Sequence, residues 1–285
     1  MTGRRSDLTL LFATLLWGLS FIVVKQALTW TTPLAFTAAR FGIAVLVLTP
    51  FTNLRPPFPW PELRAGALLG GLLAVGFAAQ TVGLVYTTPA RSAFIVATSS
   101  VLAPVVAFAV VRERPSPWII AALGVAGAGM YLLTAPESGG LNRGDAWTLV
   151  TALAFGGQIV AVAHVARRYD PLRLVWIETA CTAAGAGLAA LFLEDVRFVW
   201  SPALASTLGY AAVLATAVAL FWQIRAQRYM SSARAALIFC FEPVFAALAS
   251  WVWFGERLSA VQWGGSALIL VGMVLTELPN MRRDV

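Results

Sequence analysis

The sequence predicts an all-α integral membrane protein with ten transmembrane helices in two inverted five-helix repeats. Three observations carry that expectation. Hydrophobic residues make up 59% of the chain and charged residues only 12%, with a mean hydropathy of +0.79, whereas a soluble domain carries roughly 25% charged residues. The chain is also duplicated: residues 91–133 recur without a gap 143 positions later as residues 234–276, and 11 of the 43 pairs are identical. Arg91-Ser92-Ala93-Phe94-Ile95 stands against Arg234-Ala235-Ala236-Leu237-Ile238, and Glu113-Arg114 against Glu256-Arg257. An internal repeat decides the architecture before any other feature. The third observation is a series of ten apolar runs, each close to the roughly 20 residues that cross a bilayer as a helix.

In chain order the first repeat (1–138) holds runs near 8–28, 33–52, 63–86, 90–111 and 116–134. The second (139–285) holds runs near 146–166, 172–193, 203–224, 232–254 and 258–278. Breaks coincide with turn chemistry at Thr31-Thr32-Pro33, Arg55-Pro56-Pro57, Thr88-Pro89, Pro115-Ser116-Pro117 and Pro136 to Gly140. At the start of the chain the register is 138: Asp7, Leu11, Leu15 and Gly18 match Asp145, Leu149, Leu153 and Gly156, so five extra residues fall in the second repeat around Glu194–Arg197. The first run follows Arg4 and Arg5, lacks a small-residue cleavage site and is itself repeated, so it is expected to remain as a helix rather than leave as a signal peptide.

Arginine placement sets the expected orientation. With the N-terminus inside, 14 arginines fall on cytoplasmic segments and four (Arg91, Arg143, Arg197 and Arg257) outside, which puts both termini in the cytoplasm. Five is an odd number of helices, so the second repeat begins from the opposite face and must be inverted. Inverted repeats are a design of secondary transporters, whose substrate site lies near the midplane where the halves meet. The net charge of +7 then reads as loop arginines beside anionic lipid rather than as a nucleic-acid footprint. Cys181 and Cys240 lie in apolar runs and are expected to pack without a disulfide.

Candidate transport residues come in matched sets. On the first run Trp17 and Ser20 share a face, and on its repeat Phe155 and Gln158 do, each pairing an aromatic plate with a polar group near mid-membrane. Two roles are open for each stripe: substrate contact, or packing with interhelical hydrogen bonds. Gln80 and Gln223 are in register; Gln80 leans toward a cavity and Gln223 toward the cytoplasmic interface. Ser92, Ile95 and Ser99 share a face aligned with Ala235, Ile238 and Glu242. Pro104 and Pro243 each free the carbonyl four residues earlier, Ser100 and Phe239; interrupted helices in matching places point to a transporter site, the alternative being kinks that only shape the bundle. Phe94, Phe239 and Phe241 add aromatic surface there.

Three ionisable residues, Arg40, Glu178 and Glu242, lie inside apolar runs, where charge is costly and functional by default. Arg40 and Glu178 occupy equivalent positions with opposite charge and are candidates for a charge or gating role; inversion leaves a direct pair unassured. Glu242 either titrates and couples transport to protons or pairs with an arginine on the cytoplasmic side. Lys25 is expected to snorkel at the outer end of the first helix. His164, the single histidine, has no Cys, Asp or second His beside it, so neither a metal nor another cofactor is expected.

Trp17-Gly18-x-x-Phe21 with Lys25, then Pro33 and Arg40-Phe41, resembles the opening of the EamA unit of the drug/metabolite transporter superfamily. Gly144-Asp145 resembles the start of the unit's second copy, and Glu242-Pro243 with Phe254-Gly255-Glu256-Arg257-Leu258 and Gly272 resembles its end. One departure is visible: the proline thirteen residues before the closing Glu is Pro243 in the second copy, whereas that place in the first is Ser100. The resemblance spans nearly the whole chain. It implies a multi-pass carrier of the bacterial inner membrane, an exporter of amino acids or other small metabolites, with the aromatic-rich composition most similar to the YddG-type amino-acid exporters.

A secondary transporter acting on a small-molecule substrate, embedded in the lipid bilayer and monomeric or homodimeric, is therefore the leading expectation. A nucleotide-sugar or phosphosugar exchanger would need several cations in the cavity, and only Lys25 and Arg40 are available. A membrane enzyme would need clustered His, Asp or Glu, or a Ser–Lys or Ser–His set, none of which the sequence shows. A non-transporting scaffold tolerates the matched polar stripes without explaining them.

Overall fold

The computed structural model describes residues 3–55, 57–111, 117–133, 140–229, 238–239 and 241–281. Arg112, Glu113, Arg114, Arg234, Cys240, Arg282 and Arg283 lie outside them. The first repeat comprises α1 (Gly3–Ala27), α2 (Pro33–Leu48), α3 (Trp60–Tyr86), α4 (Pro89–Ala97), α5 (Ser99–Val111) and α6 (Pro117–Leu133). The second comprises α7 (Arg143–Val165), α8 (Pro171–Leu193), α9 (Pro202–Gly209), a π-helical segment (Tyr210–Val218), α10 (Ala219–Gln227), α11 (Glu242–Phe254) and α12 (Ala260–Met281). The sole β feature among the described residues is a single antiparallel bridge between Thr31 and Phe198.

Six stretches among the described residues are each long and apolar enough to cross a bilayer: Arg5–Ala27, Pro33–Phe51, Trp60–Tyr86, Arg143–Val165, Pro171–Leu193 and Pro202–Gln227. The other four expected runs correspond to α4 with α5 laid end to end, α6, α11 and α12. Proline opens several of the helices, where its missing N–H is no loss and its φ is already helical. Ahead of Pro89, Pro171 and Pro202, the side chains of Thr88, Asp170 and Ser201 accept backbone N–H groups of the first turn. A capping box between Asn142 and Asp145 opens α7.

Glycines show how the repeats meet. A Cβ on Gly129 of α6 would stand 2.6 Å from the Gly265 carbonyl and 2.8 Å from the Ile269 nitrogen of α12, and one on Gly272 would meet Ala122 and Ala126 of α6 at 3.0 Å and 2.9 Å. Numbers rise along one helix as they fall along the other, so α6 and α12 are antiparallel. Gly265 and Ile269 are the repeat equivalents of Ala122 and Ala126, and Gly272 of Gly129, so the contact maps onto itself under the duplication. A two-fold that exchanges antiparallel helices runs perpendicular to them, which is the geometry of an inverted repeat. The same exchange relates α3 on α7 to α1 on α10, α3 on α8 to α2 on the π segment, and α4 with α5 on α7 to α11 on α1. The strongest helix contacts are thus between repeats, and the core lies along their seam.

The two ends of the bundle are distinguishable. The turn after α1 pairs with the loop after α8, through Thr32 N–H to the Arg197 carbonyl at 3.0 Å and Val199 N–H to the Trp30 carbonyl at 2.8 Å. At the opposite end of α2, Trp176 Nε1 donates to Thr49 Oγ1 at 3.0 Å, Phe58 stacks on Trp176, and Arg173 pairs with Glu62 at 3.1 Å.

Candidate functional site

A cavity of about 640 Å³, counting the part open to solvent, lies between the repeats. α1 contributes Trp17 and Ser20, α3 Gln80, α5 Ser99, α7 Phe155 and Gln158, while Phe239 and Glu242 reach it from the approach to α11 and its first residue. Eight of the nine residues singled out as substrate-side candidates therefore share one wall. Phe94 does not: it is fully buried among Ile95, Val101, Ala122 and Ile269, because on α4 it faces the α6–α12 seam and not the side taken by Ser92 and Ser99. Gln223 differs the other way. It is buried and lines the cavity instead of resting at the interface.

Two interrupted helices bring Ser99 and Glu242 to this level. α4 ends at Ala97 and α5 begins at Ser99, with the Thr98 hydroxyl donating to the Ile95 carbonyl at 2.6 Å. α11 begins at Glu242, the register equivalent of Ser99. The prolines pointed to the right helices. Pro243 occupies the first turn of α11, directly after a turn at Phe241, where a proline is well tolerated. On the other helix the break precedes Pro104 by six residues. Close approach explains the shared level: a Cβ on Gly18 would stand 2.8 Å from the Glu242 carbonyl and 3.2 Å from the Ala246 nitrogen, and its repeat partner Gly156 faces the Ser99 carbonyl at 3.1 Å and the Ala103 nitrogen at 3.3 Å.

Aromatic rings form much of the wall. Trp17 and Phe239 lie 5.9 Å apart, Phe77 and Phe155 5.0 Å apart. Trp17 Nε1 donates to the Ala215 carbonyl at 2.9 Å, and the Ser20 hydroxyl donates to the Trp17 carbonyl at 2.7 Å. The same Ala215 carbonyl accepts from Arg40 Nη2 at 3.1 Å, and Arg40 Nε donates to Thr216 Oγ1 at 2.7 Å. Both acceptors lie in the π-helical segment, where the wider ladder lets Thr216 Oγ1 donate back to the Ala211 carbonyl five residues earlier. Arg40 is therefore not in the wall. Its guanidinium sits 4.6 Å from the centroid of Phe77, behind the ring that faces the cavity.

The polar side of the wall is incompletely paired. Gln223 Nε2 donates to Gln158 Oε1 at 3.4 Å, which leaves Gln158 Nε2 buried and without a partner among the described residues. Glu242 is the one ionisable side chain lining the cavity, and among the described residues no cation pairs with it. Glu178 is elsewhere. It is fully buried where α8 crosses Gly70 of α3, and both carboxyl oxygens lack partners among the described residues. Ala38 lies opposite Gly187 and Thr49 opposite Trp176, so Arg40 and Glu178 stand about seven residues apart along the α2–α8 crossing, ~10 Å at the helical rise. They form no ion pair.

Beyond the cavity, on the side of the α1–α2 turn, polar groups join the repeats. Arg91 Nε and Nη2 donate to Asp145 at 2.9 Å and 2.5 Å, both residues being buried, and Thr87 Oγ1 donates to the same carboxylate at 3.1 Å. Glu256 accepts from the Thr88 and Ser250 hydroxyls and from Ala90 N–H, clasping the start of α4. Lys25 does not snorkel into solvent but donates to the Leu84 and Thr87 carbonyls at the end of α3. Among the described residues no three His, Cys, Asp or Glu side chains gather as metal ligands would.

Ring and cavity residues missed in the sequence include Phe77, Leu73 and Met273. Phe77 had a usable signal, since it stands three residues before Gln80 and so on the same helical face.

Known proteins resemble this chain over nearly all of its length. An uncharacterized transporter of Archaeoglobus fulgidus is 33% identical over 273 residues, 96% of this chain and 86% of that one. The uncharacterized inner membrane transporter YedA of Escherichia coli is 28% identical over 279 residues, covering 93% and 88%. The uncharacterized transporter YwfM of Bacillus subtilis is 24% identical over 296 residues, covering 99% and 97%. A solved crystal structure of another protein shares the fold with a TM-score of 0.71 at 20% identity, covering 99% of each chain. The profile of the EamA-like transporter family matches twice, over residues 4–135 and 142–278. With a duplicated helical unit, a cavity on the seam and two family matches in tandem, this multi-pass membrane protein belongs to the EamA-like transporter family.

Proposed function

We propose that the protein is a secondary transporter that exports amino acids, aromatic and other apolar ones above all, across the bacterial inner membrane by alternating access. Both termini then face the cytoplasm, in keeping with the arginine bias. The observation that carries the reading is the composition of the seam cavity. Trp17, Phe77, Phe155 and Phe239 offer apolar plates, Glu242 offers a carboxylate, and Gln158 Nε2 offers a buried donor with no partner among the described residues. A free amino acid presents the complementary set: an apolar side chain, an ammonium and a carboxylate. Nucleotide sugars and phosphosugars fit poorly, because among the described residues no Lys, Arg or His lines the wall. The small-molecule substrate is met by one chain alone, whether the carrier is a monomer or a homodimer.

Counterflow in proteoliposomes tests the proposal. Vesicles preloaded with an unlabelled amino acid should accumulate the labelled one, with phenylalanine, tryptophan and leucine exchanging faster than aspartate or lysine. Absence of exchange for every amino acid rejects the substrate assignment. Exchange that is indifferent to a pH gradient and survives Glu242→Gln removes proton coupling through that residue.

A further inference from the structure

Resting on that reading of the cavity as the substrate site, we infer that recognition is centred on the substrate's ammonium group, held by Glu242 beside Trp17 and Phe239, and requires no carboxylate. The substrate class is then primary amines with an apolar body, of which apolar amino acids are only one kind. Charge is the first argument. Among the described residues Glu242 is the single ionisable side chain in the wall, and none of the described lining residues is cationic. The buried Arg40 is already engaged: Nε and Nη2 bond Thr216 and Ala215, and its guanidinium lies against the Phe77 ring that lines the cavity. Among the described residues a substrate carboxylate would meet no positive side chain in the wall, whereas a substrate ammonium meets an acid with no ion-pair partner there.

Geometry is the second argument. Gly18 lets α1 approach the main chain of α11 at Glu242, and Trp17, Phe239 and Glu242 all line the cavity. Trp17 and Phe239 pack 5.9 Å apart there, and aromatic faces attract organic cations within about 6 Å of the ring. Across the seam the register equivalent of Glu242 is Ser99, which is neutral. Pseudo-symmetry therefore does not extend to charge. One repeat holds the head group, while Phe77, Phe155, Leu73 and Leu220 leave apolar room for the body.

Calorimetric titration of the full chain in nanodiscs, with phenethylamine, L-phenylalanine and 3-phenylpropionate as probes, tests the inference without any variant. Phenethylamine and L-phenylalanine should bind within a few-fold of each other, and 3-phenylpropionate roughly tenfold or more weaker, a readily measured difference in affinity. Glu242→Gln should weaken phenethylamine by about tenfold and leave 3-phenylpropionate unchanged, with the unfolding midpoint of the variant as the folding control and Glu242→Asp recovering part of the loss. Equal binding of 3-phenylpropionate and phenethylamine overturns the inference, as does failure of phenethylamine to bind. Counterflow separates the two readings. If L-phenylalanine does not exchange but phenethylamine binds through Glu242, the amino-acid assignment falls and the ammonium site stands; if L-phenylalanine exchanges and 3-phenylpropionate competes as well as phenethylamine, the reverse holds.

Discussion

Trp17 works at two contacts: its ring packs on Phe239 and its Nε1 donates to Ala215 in the π-helical segment. Trp17→Phe keeps a plate and loses the donor, so uptake at matched expression should fall several-fold; Trp17→Ala loses both and should fall further. Equal transport by wild type and both variants would remove Trp17 from the path. Half of this was legible. Trp17 with Ser20 and Phe155 with Gln158 follow from three-residue spacing alone, because residues at that interval share a helical face. The partner of the indole was not, since an alanine carbonyl carries no sequence mark and helical ladders normally occupy it. Arg40 was singled out correctly as an intramembrane charge, but its acceptors, Thr216 Oγ1 and the Ala215 carbonyl, depend on a π turn that no residue announces. Glu178 invited pairing with Arg40 by symmetry. Inversion sets equivalent positions at different depths unless they lie on the axis, and these do not.

Among the helices, the α6–α12 pair shows how closely the repeats are held. A methyl on Gly129 would reach 2.6 Å from the Gly265 carbonyl, whereas one on Gly124 meets nothing within 4 Å. Gly129→Ala should therefore lower stability, by about 1–3 kcal/mol as for other overpacked sites, while Gly124→Ala should be neutral or gain up to ~1 kcal/mol of helix propensity. Unfolding midpoints in detergent distinguish the two; equal midpoints would contradict the packing. Gly124 and Gly129 look alike in the sequence, and only the partner helix tells them apart. The interrupted helices were legible to the same degree. Matched prolines named the elements: Pro243 sits in the first turn of α11, where a proline is well placed, whereas Pro104 lies inside α5 and the break falls six residues earlier at Thr98.

For the molecule as a whole, the duplication was the most legible feature and fixes the most. Two copies of an odd-numbered unit predict antiparallel partners, and the self-mapping of α6 on α12 shows them. Single cysteines at Arg55 and Arg197, at opposite ends of the bundle, should react with impermeant reagent from opposite faces of a sealed vesicle; labelling from one face would contradict the inversion. Asp145 ties α7 to α4 through a buried, bidentate bond with Arg91. Asp145→Asn removes the carboxylate charge from that buried pair, and breaking such a pair costs on the order of 3–5 kcal/mol, so the variant should unfold well below wild type.

Glu256 gives the assembly a mechanical consequence. Its carboxylate just past α11 fastens the start of α4, and α4 ends at cavity depth beside Thr98, so loss of this contact is expected to free α4 to move as a shutter about Thr98. Glu256→Gln weakens the latch without touching the chamber: a cysteine at Ala97 should then be alkylated faster from the Arg197 face, and unchanged alkylation would mean the shutter hangs elsewhere.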